Sequence, residues 1–116
     1  MREIQQAAAQ GDVIFRKVKT IPQGFEEKPR TGPIIVSHSE TGHHHVINDD
    51  GVRVFEHREK PLICYLQMGD TVCFDVEHLR SYDTHETLRL LGKPGDVWEA
   101  RRQREHTPEG WRRVQD

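Results

Sequence analysis

Gly42-His43-His44-His45-Val46-Ile47-Asn48-Asp49-Asp50-Gly51-Val52-Arg53-Val54-Phe55-Glu56 is the stretch that decides the fold. Two short runs rich in β-branched residues flank Asn48-Asp49-Asp50-Gly51, a strong turn signal. The same short spacing between runs and breakers continues on both sides. Upstream, residues 12–18 form a strand candidate entered through Gly11. Pro22, Gly24, Pro29, Gly32 and Pro33 then mark a loop, and residues 33–37 a second strand. Downstream, residues 62–67 and 71–76 read as a hairpin about Gly69. Residues 85–91 and 97–104 read as a last pair joined through Gly92-Lys93-Pro94-Gly95. The pattern predicts an all-β protein, a small antiparallel barrel or sandwich of about eight short strands in a single domain over 1–116. Residues 1–10 suit a short frayed helix, and Thr107-Pro108-Glu109-Gly110 a turn or helix start.

Composition narrows the function classes. The chain has 116 residues, 34% apolar and 31% charged, enough for one lean core. The net charge of −2 gives no global basic field for nucleic acid or membranes. No apolar run approaches the ~20 residues of a membrane span. The start of the chain lacks the apolar core of a signal peptide, so the expected compartment is the cytoplasm. Cys64 and Cys73 sit in apolar runs and are not a CxxC pair. They are expected to be reduced and buried rather than bridged or metal-bound.

The histidines carry the chemistry. In an extended strand His43 and His45 share a face and His44 takes the other. Two imidazoles so placed can chelate one transition metal, and a third ligand must come from elsewhere. His85, in Asp83-Thr84-His85-Glu86 before a strand, is the best-placed third, with His38, His78 and His106 as further candidates. Glu86 is a candidate base or orienting acceptor. The expected cofactor is a divalent transition metal, zinc first, with iron, nickel or manganese as alternatives. Because only neutral imidazole binds metal, affinity should fall below about pH 6.5. No Gly-rich phosphate loop or nucleophile elbow is present.

Gln10-Gly11-Asp12-Val13, Gly42-His43-His44-His45 after a Ser-Glu-Thr turn, and Arg102-Gln103-Arg104-Glu105 leading to Trp111 resemble a group of small bacterial and phage-encoded proteins. That group carries a QGDV, then a GEVTGHxH, then a QREY pattern. The resemblance places its GHxH element on His43 and His45. It places the second histidine of a later HEEH element on His85, with Tyr82 at the first. The tyrosine of QREY is His106 here. The resemblance supplies a pattern and no activity.

Two functions compete. One is a small metal-binding protein with His43, His45 and His85 as ligands, whose open position would activate water for hydrolysis or hydration. The other is a non-catalytic phage or bacterial accessory module. It would bind protein or nucleic acid through residues 101–104 and the Arg112-Arg113 tail, near Trp98 and Trp111. A homo-oligomer is compatible with both, a membrane partner with neither, and nucleic acid is the less favoured partner.

Overall fold

The computed structural model describes residues 1–38, 44–79, 86–102, 104–107 and 110–113. These residues are all-β, with no helix among them, and form two sheets with no closed barrel. One sheet has five strands, in the order β1 (Arg2–Ile4), β10 (Leu88–Leu91), β9 (Cys73–Leu79), β6 (His44–Ile47), β5 (Ile34–His38). The other has six, in the order β2 (Ala7–Gln10), β3 (Val13–Val18), β11 (Val97–Arg102), β8 (Ile63–Met68), β7 (Val52–Glu56), β4 (Glu26–Lys28). A separate hairpin pairs β12 (Arg104–Thr107) with β13 (Gly110–Arg113). β1 runs parallel to β10, and the other pairs are antiparallel.

The expected strands form, but three expectations about connection do not hold. Residues 1–10 are two strands rather than a helix. The Ala7-Ala8-Ala9 run has high helix propensity, but a segment this short cannot pay for helix nucleation. It pairs instead with β3, from Ala7 opposite Arg16 to Gln10 opposite Val13. Gly11 takes φ 58° in the intervening two-residue turn, the conformation that a type II′ hairpin asks of its first central residue. Residues 63–68 and 73–79 are not a hairpin, because β8 lies in the six-stranded sheet and β9 in the five-stranded one. The same separates β10 from β11. Cys64 and Cys73 are therefore not cross-strand neighbours. The turn after residue 107 involves residues 108–109, outside the described residues.

The core lies between the sheets. Phe15, Leu66 and Trp98 from one side meet Ile47, Val76 and Leu90 from the other. Residues 48–51, 69–72 and 92–96 carry the chain from one sheet to the other at one end of the sandwich. The opposite end holds the start of β3 and β6 and the close of β9 and β11. There the apolar core gives way to polar side chains: Gln10, Asp12, His45 and His78 are all buried.

Candidate functional site

Strand alternation builds this polar end. On β6, His45 and Ile47 are both 0% exposed, so they share the core face. On β9, Phe74, Val76 and His78 all point inward at period two. The register sets His45 opposite His78. Their rings stack at 4.2 Å between centroids with 12° between planes. A β-bulge on β5 falls between Ile35 and Ser37, where Ser37 pairs with His45. The extra residue, Val36, half-buried against the core, lets the edge strand follow β6 past the histidine. From the other sheet, Gln10 ends β2, and Asp12 occupies the following turn.

The hydrogen bonds fix the orientation of the His45 ring. Gln10 Nε2 donates to the backbone carbonyls of Val76 at 2.9 Å and Glu86 at 3.0 Å. With both amide protons so used, Gln10 Oε1 is the atom that faces His45 Nδ1, at 2.8 Å. His45 Nδ1 must then donate. The other ring nitrogen, Nε2, faces Asp12 Oδ1 at 3.2 Å. That contact joins a ring nitrogen to a carboxylate oxygen in the interior, where a polar group without a bond would be costly.

The same arrangement suits a metal ligand. Metal-bound histidines donate their second ring N–H to an oxygen that fixes the ring, which is what Gln10 does for His45. Ligand bonds of about 2.0–2.1 Å place neighbouring donor atoms about 2.8–3.0 Å apart on an octahedral ion and about 3.3–3.4 Å apart on a tetrahedral one. The 3.2 Å between His45 Nε2 and Asp12 Oδ1 lies between these two spacings. His78 is placed differently. A nitrogen lone pair lies in the ring plane, so near-parallel stacked rings aim along near-parallel lines and not at one point. Among the described residues no group of three or more His, Cys, Asp or Glu side chains is placed to hold a metal ion. Of the three expected ligands, His45 is in the buried cluster, while His43 and His85 lie outside the described residues. His38 ends β5, its backbone opposite His44, and His106 is on β12 opposite Trp111. Glu86 meets the cluster through its carbonyl, and its exposed carboxylate is 3.7 Å from Arg2.

Other reactive groups are subdued. Both cysteines are free; Cys64 is buried and Cys73 half-buried. Burial, reinforced by the nearby Glu56 charge, pushes the Cys64 thiol up to about 12. The cavity of about 350 Å³ that it lines with Val36, Leu62 and Ala100 therefore holds no activated nucleophile. The Arg-rich segment begins at the end of β11, which pairs on both sides, with β3 and β8; Val97, Trp98, Glu99 and Ala100 before it are buried, Arg101 is exposed and Arg102 is half-buried.

Gln10 and Asp12 are the site residues that sequence reasoning missed. Flanking Gly11, they read as turn chemistry, and nothing local marks them as interior. His78 carried a usable signal, because Phe74, Val76 and His78 follow one another at period two. Among the described residues no helix is long and apolar enough to cross a membrane. No curated protein and no solved structure matches the chain. Residues 9–103, from just before Gln10 to just past Arg102, match the model of a domain of unknown function, DUF8820. The strands that build the histidine cluster lie inside that segment, and the chain belongs to the DUF8820 family.

Proposed function

We propose that this protein binds a divalent transition metal at the polar end of the sandwich. His45 Nε2 and Asp12 Oδ1 are the two interior ligands, and His43 and His85 complete the set. The observation that carries the reading is the fixed His45 ring: Nδ1 is held by Gln10, and Nε2 is turned to a carboxylate at ligand-pair distance. Chain connectivity supports the remaining ligands. His43 is two residues before His45, and His85 is next to Glu86, whose carbonyl bonds Gln10. A set of histidines with one carboxylate fits Zn²⁺ or Fe²⁺. An open position on such an ion would supply an activated water for hydrolysis or hydration.

The test is metal analysis of untagged protein prepared without added metal, with single alanine variants. About one ion per chain is expected, lost in H45A and H43A and retained in H44A. Equal losses for all three histidines, or no ion in the parent protein, would reject the reading.

A second reading rests on the hairpin. β12–β13 lies outside the matched segment and forms its own sheet. Its register sets Arg104 opposite Arg113 and His106 opposite Trp111. A hairpin carrying arginines and a tryptophan suits a single-stranded nucleic acid, and binding that weakens steeply with salt would favour it.

A further inference from the structure

Arg102 closes β11 on the core side. Trp98 and Ala100 precede it at period two, and both are buried in the core cluster. Its register partner on β3 is Val13, the residue after Asp12. Its backbone N–H donates to the Leu62 carbonyl at 2.8 Å. Arg102 therefore lies at the same end of the sandwich as Asp12 and His45, and it faces inward.

Two nitrogens of its side chain, Nε and Nη2, are buried, and no hydrogen-bond partner reaches them among the described residues. These two form one edge of the guanidinium plane, the edge that grips two oxygens of one carboxylate or phosphate. The same protein shows that edge filled elsewhere. Arg89 Nε and Nη2 hold the two oxygens of Asp75 at 2.8 and 3.2 Å. Arg53 meets both oxygens of Glu27, at 3.1 Å from Nε and 3.0 Å from Nη2. Those pairs are open to water, where an empty fork would be solvated at little cost. At Arg102 the edge is shielded, so water does not compensate it, and a guanidinium stays charged at any ordinary pH. Trp98 Nε1 is a buried donor in the same position, but it is a single neutral N–H and brings no charge to balance.

Asp12 directs Oδ1 to His45, and among the described residues no carboxylate fills the Arg102 edge. We propose that Arg102 is an oxyanion-binding residue. Its Nε/Nη2 edge takes the carboxylate or phosphate group of a small ligand that enters between the sheets beside Asp12 and His45. The ligand exchanges the unpaired fork for two charge-assisted hydrogen bonds, and nothing in this depends on a bound metal.

The experiment uses the full chain stripped of metal with a chelator, titrated with sodium phosphate and, separately, sodium acetate at constant ionic strength. Melting temperature and the ¹⁵N resonance of the Arg102 Nε–H are followed. A saturable rise in melting temperature and a shift of that resonance are expected with at least one anion; which one separates phosphate from carboxylate ligands. R102M should weaken binding at least about tenfold, and R102K should weaken it as well, because lysine keeps the charge and loses the fork. R101M, on the opposite face of β11, should bind as the parent does. Equal binding by the parent and R102M or R102K would overturn the proposal, as would an Nε–H resonance unmoved by either anion. Binding that appears only after metal is restored would assign the anion to the metal and overturn it too. Should R102M not fold, the resonance of the parent protein decides. Because the deciding titrations use metal-free protein, failure of the metal reading leaves this result standing.

Discussion

At one end of the sandwich the crossings between sheets are held by backbone. Gly69 N–H donates to Gly51 O at 2.8 Å, Gly92 N–H to Val72 O at 2.8 Å, and Gly95 N–H to Met68 O at 2.9 Å. Met68 N–H returns a bond to Asp96 O at 2.8 Å. At the other end the closure is made by side chains: Gln10 clamps Val76 and Glu86, His45 joins Gln10 to Asp12, and Arg102 leaves a fork unfilled. Backbone closure is satisfied in itself and needs no ligand. Side-chain closure places ionisable groups where water is scarce, which is costly unless something binds there.

The largest expected effect comes from removing His45. H45A leaves Asp12 and Gln10 Oε1 buried without their partner, and breaking such a pair costs about 3–5 kcal/mol. D12N keeps a polar group against Nε2 and should cost less than half as much in urea unfolding. If D12N costs nothing while H45A keeps its full cost, the pair contributes packing rather than a charged contact, and the contrast between the ends weakens.

The matching test at the backbone end is G69A. A Cβ at residue 69 would sit 2.5 Å from the Gly51 carbonyl oxygen, and that backbone cannot yield without opening the turn. Overpacking of this kind costs about 1–3 kcal/mol. Urea unfolding should show that loss while metal content and anion affinity stay at parent values. A loss of ligand binding in G69A would mean that the two ends are coupled.

Glu99, a third buried polar site, lies on the outer face of the six-stranded sheet and separates burial from position. It accepts from Tyr65 Oη at 2.9 Å and from Arg101 Nε at 3.3 Å, and Arg16 lies at 3.5 Å. Burial pushes its carboxyl up, but the bonds from Arg101 and Tyr65 and the charges of Arg101 and Arg16 outweigh it and hold it below its ordinary value. A depressed carboxylate adds stability that is complete above its unfolded value and fades as pH falls through the folded one. Melting curves below about pH 4.5 should therefore show an acid-side loss that E99Q lacks, worth about 1 kcal/mol given its solvent-exposed arginine partners. An identical acid limb in parent and variant would assign that loss to other carboxylates.

The sequence made the strands legible and left their assembly hidden. Alternation over residues 13–15 and 52–56 marks strands because one face of each is buried, and residues 63–68 read as a strand from a short apolar run. A turn signal reports only that the chain reverses. It does not say whether the next strand pairs with the last or crosses to the other sheet, so residues 69–72 and 92–96 read as hairpins. The HxH spacing gave His43 and His45 a common face without saying which, and His45 lies on the core face. Its partners Gln10 and Asp12 come from residues more than thirty positions away in the other sheet, and no local pattern encodes such a meeting.

The two cysteines give the gentlest test, because each reports on one end without a substitution. Cys73 opens β9 beside the bonded turns, opposite Leu91. Cys64 lies opposite Ala100 and Glu56, two pairs from the Leu62–Arg102 bond. With its thiol raised to about 12, Cys64 is thiolate at roughly one part in ten thousand at pH 8, so it reacts only when its end opens. Half-buried Cys73 should label first under native conditions. Adding Zn²⁺ or the preferred anion should slow Cys64 further and leave Cys73 unchanged, because ligand binding raises the cost of opening only the end it occupies. Equal protection of both thiols would show instead that the sandwich opens as one unit, and the two ends would then differ in chemistry but not in stability.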